Sequence, residues 1–289
     1  MTTQANLQYH LGLPIWNHSQ WRGCVYGDNT SNKDHLRSYS SIFGAVEGNT
    51  TFYATPPPQT VASWREQVGP EFQFCFKLPK TITHSQQLCN VNQLLTDFIL
   101  RLEPLAENLG PFMIQLPAQF SPQQLDDLAA FIQILPQGFK FSVEVRHPDF
   151  FNRKDEEKAL NQLLHHNQVE RVCFDSRALF SRKASNKAEK EAQKKKPNLP
   201  VHAVSTSQHP VVRFIGNRDQ EQSKVYWQPW VKKLSDWMAE GKKPYIFIHS
   251  PDNAFAPELA QALHAGLENQ LPGWKPLNLI KNTTQLAIF

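Results

Sequence analysis

Short apolar runs recur along this chain at the spacing of one strand plus one helix, and residues that favour turns bound each of them. Eight runs predict strands, over residues 7–12, 45–49, 72–77, 112–115, 141–146, 171–175, 211–215 and 245–249. Between them the apolar positions change to helical spacing. Over residues 92–102, Leu94, Leu95, Phe98, Ile99 and Leu102 fall three and four apart and form one apolar face. Ser121 and Pro122 mark the start of a helix over residues 123–135, since a serine oxygen can accept from the free N–H groups and proline lacks one. Residues 155–166, 227–238 and 257–267 complete the clearest helical patterns.

The polar residues that close strands two to eight are Glu47, Lys77, Gln115, Glu144, Asp175, Arg213 and His249. They lie 30, 38, 29, 31, 38 and 36 residues apart, room each time for a strand, a helix and two loops. Alternating strands and helices build a parallel sheet, and eight such units close a TIM (β/α)8 barrel. The expected fold is therefore α/β, a single eight-stranded parallel TIM-barrel domain over residues 1–289. An open doubly wound sheet is the alternative, but no G-x-G-x-x-G follows the first strand and no Walker loop occurs.

Strand parity gives an internal check. Two residues before each polar strand end stand Ala45, Cys75, Met113, Ser142, Cys173, Val211 and Phe247, all apolar or small. A barrel packed below and polar above needs that arrangement, with the polar crown at the C-terminal strand ends where βα loops begin.

Composition narrows the class. Forty per cent apolar residues in a 289-residue chain suit a large buried core and exclude disorder and fibrous repeats. The four cysteines show no C-x-x-C spacing, so neither a zinc site nor a disulfide framework is indicated. No run of about 18 apolar residues occurs and the N-terminus lacks a signal-peptide pattern, so a cytoplasmic protein without a membrane segment is expected. The net charge of +4 is local: residues 182–196 carry seven basic and two acidic residues, leaving the rest slightly acidic. That argues against a nucleic-acid face spread over the fold. The compositional break at about 178–200 is expected to be a polar elaboration of the sixth βα connection, a solvated helix or a loose insertion.

The crown of Glu47, Lys77, Gln115, Glu144, Arg146, Asp175, Arg213 and His249 holds three negative and three positive charges before His249 titrates. Charges confined to a partly dry mouth must pair, and pairing shifts pKa values toward those of working acids and bases. Glu47, Lys77, Glu144 and Asp175 are the expected catalytic groups, with Glu47 or Glu144 moving protons, Lys77 and Arg213 stabilising negative charge, and Asp175 and Arg146 orienting neighbours. Trp16, Asn49, Tyr53, Gln115, Arg146, Arg213 and His249 are expected to contact a small-molecule substrate, the aromatic residues by stacking. Arg213 or Arg218, with Gly216 and the helix opening near Pro257, could take a phosphate. His84 and His147 are further acid/base candidates, and a plain ion-pair network closing the mouth would leave the same pattern.

These residues carry a family resemblance. The blocks Glu47-Gly-Asn-Thr-Thr-Phe-Tyr53, Phe74-Cys-Phe-Lys-Leu-Pro-Lys-Thr-Ile-Thr-His84, Gln115-Leu-Pro-Ala-Gln-Phe120, Val143-Glu-Val-Arg-His-Pro-Asp-Phe-Phe151, Asp175-Ser-Arg177, Lys196-Pro-Asn-Leu-Pro-Val-His-Ala203 and Arg213-Phe-Ile-Gly216 resemble the YecE-like family. That large bacterial family is labelled as a domain of unknown function, and the resemblance runs nearly end to end. It implies a TIM-barrel fold and brings no established activity. Its recurrent motifs fall on Glu47, Asn49, Thr51, Tyr53, Lys77, Pro79, Gln115, Glu144, Arg146, His147, Asp175 and Arg213. Where many relatives carry histidine before the glycine after strand seven and asparagine at the end of strand eight, this chain has Ile215 and His249.

The functional expectation is an enzyme using general acid/base chemistry on a small polar or phosphorylated metabolite, in a pocket touching most of the crown. One alternative is an adaptor contacting nucleic acid or an acidic partner through residues 182–196. Another is a hydrolase or isomerase holding a divalent metal on Glu, Glu, Asp and His from separate strands. The sequence assigns no cofactor and no oligomeric state.

Overall fold

A computed structural model describes residues 9–270 and 276–280. The strands are β1 (His10–Leu13), β2 (Ala45–Gly48), β3 (Gln73–Phe76), β4 (Phe112–Gln115), β5 (Phe141–Glu144), β6 (Glu170–Arg171), β7 (Cys173–Asp175), β8 (Val211–Ile215) and β9 (Tyr245–His249). The helices are α1 (His35–Ser40), α2 (Pro58–Gln67), α3 (Asn92–Leu102), α4 (Leu125–Gln133), α5 (Asp155–His166), α6 (Arg177–Phe180), α7 (Lys187–Lys195), α8 (Gln220–Ala239) and α9 (Ala256–Glu268). Residues 7 and 8 of the expected first strand lie outside the described residues.

Local chemistry explains the helix boundaries. Ser121 and Gln124 form a reciprocal capping box, but across a 3-10 turn, Pro122–Gln124, so that α4 proper starts at Leu125. Helix α5 opens on Asp155, Glu156 and Glu157 and closes on His165 and His166, matching its dipole. Helix α8 starts at Gln220, earlier than residue 227, because the Asp219 carboxylate accepts from the Gln222 N–H at 3.0 Å.

Every strand pairing is parallel, but the strands form two sheets, not one of eight. One has six strands in the order β3-β2-β1-β9-β8-β7, the other three in the order β4-β5-β6. The expected sixth strand, 171–175, divides at Val172: Arg171 pairs with Val143 of β5, whereas Cys173 pairs with Val212 of β8. The Val172 N–H still donates to the Val143 carbonyl at 2.9 Å. On the other flank, β3 and β4 meet at a parallel bridge between Lys77 and Met113, with the Leu78 N–H donating to the Met113 carbonyl at 3.0 Å.

The strands bury both faces, as parallel strands under helices do. Ala45, Cys75, Met113, Val172, Val211, Tyr245 and Phe247 pack together as an inner core. Their neighbours of opposite parity, among them Val46, Phe74, Ile114, Val143, Val212 and Ile246, join the larger core beneath the helices. Backbones run close: a Cβ on Gly12 would lie 2.3 Å from the Ala45 carbonyl oxygen of β2. Cys173 departs from the expected parity. It belongs to the outer core, and Val172 takes the inner place.

The polar elaboration is folded, not loose. Leu179 of α6 and Ala192 of α7 pack on Phe174 and Ile215 at the C-terminal ends of β7 and β8. Buried Glu189 accepts from Arg182 Nη2 and from the Ser185 N–H and hydroxyl, each at 2.8 Å. Lys183, Lys187, Lys190, Lys194 and Lys195 remain exposed.

Candidate functional site

Seven of the expected crown residues come together at the C-terminal strand ends. Arg213 on β8 is the hub. Its Nε and Nη2 donate to the two oxygens of Glu47 on β2, each at 2.7 Å, and its Nη1 donates to Glu144 on β5. Arg146 donates its Nε to the other Glu144 oxygen at 2.7 Å. Lys77 Nζ lies 3.2 Å from Glu47 and donates to Gln115 Oε1 at 2.8 Å. His249 Nε2 is 3.0 Å from Glu47. The ring of Phe174 sits beside the Arg213 and Arg146 guanidinium groups, 5.3 and 5.9 Å from their central carbons. All of these polar residues are buried except Arg146, which keeps part of its surface.

The electrostatics redistribute the expected roles. Burial alone raises a carboxyl pKa, but Arg213, Lys77 and His249 outweigh it and hold Glu47 well below the usual range. The same contest, with Arg213, Arg146 and Lys77 on the winning side, brings Glu144 down to about 2. Both carboxyl groups are thereby held in the anionic form. Burial and the Arg213 charge lower Lys77 to about 8, against the pull of Glu47 and Glu144. Burial, together with Lys196 and Arg213, lowers His249 to about 3 despite Glu47, so its neutral ring donates from Nε2. Arg213 has committed all three of its nitrogens to carboxylates and offers no fork to a phosphate.

Several expected residues point elsewhere. Asp175 faces outward: it accepts from Trp230 Nε1 of α8 at 2.8 Å and from the Arg177 backbone N–H, Nε and Nη2. The reason is strand parity, since Val172 and Phe174 take the inward places on this strand. Trp16 packs edge-on against Trp64 and Phe74 and lines a hollow of about 480 Å³ beside α1 and α2. Tyr53 is 81% exposed and touches Phe52. Asn49 donates to the Pro14 carbonyl at 2.8 Å, tying the loop after β1 to the end of β2. His147 Nδ1 accepts from the Asp149 N–H at 3.3 Å, and His84 Nδ1 sits 2.9 Å from the Thr83 hydroxyl. Gly216 makes room for Leu259 of α9, since a Cβ there would lie 2.7 Å from its Cδ1. Arg218 lies over Phe255, 4.9 Å from the ring centroid.

Nor do Glu47, Glu144, Asp175 and His249 converge as metal ligands: Arg213 stands between the two glutamates and Asp175 faces away. Among the described residues no three His, Cys, Asp or Glu side chains gather as a metal site requires. Five cavities of about 220 to 630 Å³ lie on the helical exterior, and no crown residue lines any of them.

The residue that sequence reasoning missed is Lys196, the last of the basic run. Its N–H closes α7 on the Ala192 carbonyl at 2.9 Å, and the next carbonyl, that of Pro197, accepts from the Ser176 hydroxyl at 2.7 Å. The residue keeps part of its surface, and the bond from Ser176 to the next carbonyl sets it beside the end of β7, where it feels the crown charges. Burial, Arg213 and Lys77 lower it to about 7, against Glu47 and Glu144. Among the described residues it has no hydrogen-bonded or ion-paired side-chain partner. The available signal was Asn186 as a helix cap, alanines at 188 and 192 forming an apolar stripe, and Pro197 as a stop.

Fold and site together define an α/β protein of parallel strands that buries an arginine-centred polar cluster at its C-terminal strand ends. The chain belongs to the family described as "Protein of unknown function DUF72", whose model matches residues 10–280. It is 44% identical over 263 residues to the UPF0759 protein YecE of Escherichia coli strain K12, covering 91% of this chain and 94% of that protein. The YecE protein of Escherichia coli O157:H7 matches to the same extent. Among solved structures, a DUF72 family protein from Enterococcus faecalis V583 superposes with a TM-score of 0.69 at 18% identity, over 94% of this chain and 98% of that one. A DUF72 family protein from Thermotoga maritima MSB8 gives 0.66, also at 18% identity, over 91% and 98%. At that identity the likeness extends to the fold. No helix among the described residues is long and apolar enough to cross a membrane.

Proposed function

We propose that the two sheets are arcs of one (β/α)8 barrel and that the crown is the working site of an enzyme acting on a small polar metabolite by proton transfer. The barrel reading is supported by the Lys77 to Met113 bridge and by the chain continuity through Val172. The observation that carries the enzymatic reading is Lys77, a buried amine whose pKa of about 8 lies near physiological pH, held between an anionic Glu47 and the Gln115 carbonyl. The proton-moving role passes from the glutamates to this amine. Glu47 and Glu144 set its charge, Arg213 fixes both carboxylates, and Gln115 aims Nζ. Helices α6 and α7 pack on the C-terminal ends of β7 and β8, and in this reading they act as a cover that lifts for access and excludes water during the reaction.

Proton spectra of a small-metabolite extract, recorded before and after incubation with wild-type protein and with Lys77→Met, test this reading. A metabolite transformed by the wild type and spared by a folded Lys77→Met supports it. An extract left unchanged by both, with no metabolite released on denaturing the purified protein, returns the crown to a plain ion-pair network. That second reading has its own support in the saturation of Arg213.

A further inference from the structure

Two carboxylates in the crown face four cationic side chains. Glu47 and Glu144 balance two of them, so the cluster carries two positive charges in excess when Lys77 and Lys196 are protonated. The surplus is matched by spare donors. Lys77 uses two of its N–H groups, on Gln115 and Glu47. Arg146 spends Nε and Nη2 on Glu144 and keeps Nη1. Lys196 spends none on another side chain. Surplus positive charge with unspent donors, in a mouth where water is scarce, is the requirement for binding an anion.

We infer that Lys196, delivered by the α6 and α7 cover, combines with Lys77 and the free edge of Arg146 to form a subsite for a small oxyanion, a carboxylate or a phosphate. The inference rests on the crown being the working site, and it names the end of the substrate that the site would hold. It also gives the cover a task beyond shielding. With the cover lifted, Lys196 leaves and the remaining site loses one of its poles. With an anion present, the amine has a partner that holds the cover down.

Proton linkage provides a signature. Burial and neighbouring cations keep the two amines near pKa values of 7 and 8, and an arriving anion raises both. Binding at about pH 8 therefore takes up protons, and affinity falls as pH rises through that region.

The experiment is isothermal titration of the full chain with inorganic phosphate and, separately, with acetate, in buffers of different ionisation enthalpy at about pH 8. Wild type, Lys196→Met and the exposed neighbour Lys195→Met are compared. Expected are saturable binding to wild type and Lys195→Met with net proton uptake, and a roughly tenfold or greater loss in Lys196→Met, the size of one charge-assisted hydrogen bond. The stronger of the two probes identifies the anion. Equal affinity in Lys196→Met and Lys195→Met, binding without proton uptake, or no saturable binding of either probe would overturn the inference. If the metabolite assay still separates wild type from Lys77→Met in that case, the crown remains the working site and only the Lys196 subsite falls.

Discussion

Arg213 and Glu47 stand 166 residues apart in the chain and meet as a two-pronged ion pair, Nε and Nη2 each 2.7 Å from a carboxylate oxygen, with side chains 1% and 0% exposed. Glu144 is held by the same guanidinium. Removing the arginine takes the shared counter-charge from two buried anions at once, leaving Glu47 with Lys77 and Glu144 with Arg146. Arg213→Met is expected to cost about 3–5 kcal/mol in denaturant unfolding, the usual size for breaking a buried pair from one side. Adding Glu47→Gln to it should recover part of that loss, because the anion no longer needs a counter-charge. Strictly additive losses in the double variant would show that the two residues do not depend on one another.

The Lys77 amine provides a sharper electrostatic test. Glu47 pulls its pKa upward, while burial and Arg213 hold it near 8. Neutralising the carboxylate as Glu47→Gln removes an upward pull, so the amine should titrate below that value. Nitrogen chemical shifts of the lysine Nζ followed against pH would report the change. A shift upward would contradict the charge balance described here.

Glu170 predicts how stability depends on pH. This carboxylate at the start of β6 accepts from the Ser207 N–H at 2.9 Å and its hydroxyl at 2.7 Å, with the Thr206 N–H and Ser205 hydroxyl more distant. Burial nevertheless raises it to about 7. A raised folded-state pKa means that its contribution is complete below the unfolded value of about 4.3 and is lost as pH climbs through 7. Glu144 works in the opposite sense. Its lowered pKa contributes above the unfolded value and is lost as pH falls toward 2. Glu170 by itself therefore lowers the unfolding free energy between pH 5 and 8, on the order of 1–3 kcal/mol, against the rise that the lowered pKa values of His10, His209 and His249 contribute as pH climbs toward 6.5. Glu170→Gln should remove that contribution, so its unfolding free energy relative to the wild type should rise across this range; a difference that does not change with pH would assign the slope to other residues.

Gly12 and Gly69 make a contrasting pair. A methyl group at Gly12 would strike the Ala45 carbonyl oxygen at 2.3 Å, whereas at Gly69 nothing lies within 4 Å. Gly12→Ala should lower stability by about 1–3 kcal/mol or more through strand displacement. Gly69→Ala should be neutral or gain up to about 1 kcal/mol by restricting the unfolded chain. Thermal midpoints of the two variants, measured side by side, decide whether β1 and β2 are packed as tightly as described.

Strand positions were legible because a buried parallel strand is a short apolar run between turn residues, and β2, β4, β8 and β9 fall where the pattern put them. Parity was legible where a polar residue could face only the mouth, as with Glu47, Glu144 and Arg213. It failed at residues 171–175, where Val172 and Phe174 or Cys173 and Asp175 could equally point inward. Both faces of such a strand are dry, so alternation carries no information. Only Trp230, 55 residues further on, decides it by donating to Asp175. Trp16 and Tyr53 were read as mouth residues from their loops alone, and loop position does not fix direction. Lys196 was hidden by its company: composition treats a lysine run as solvated and cannot show that the last of them is partly buried beside the crown.

The division of the strands into six and three gives the charged cluster a mechanical meaning. Glu47, Arg213 and His249 ride on the larger sheet and Lys77 sits just past its edge, while Gln115 and Glu144 belong to the smaller one. The contacts from Lys77 to Gln115 and from Arg213 to Glu144 are thus rivets across the seams, set where backbone pairing is thinnest. A visitor that competes for either rivet tugs on the joint between the two sheets, so what occupies the site and how firmly the sheets are held together become one quantity.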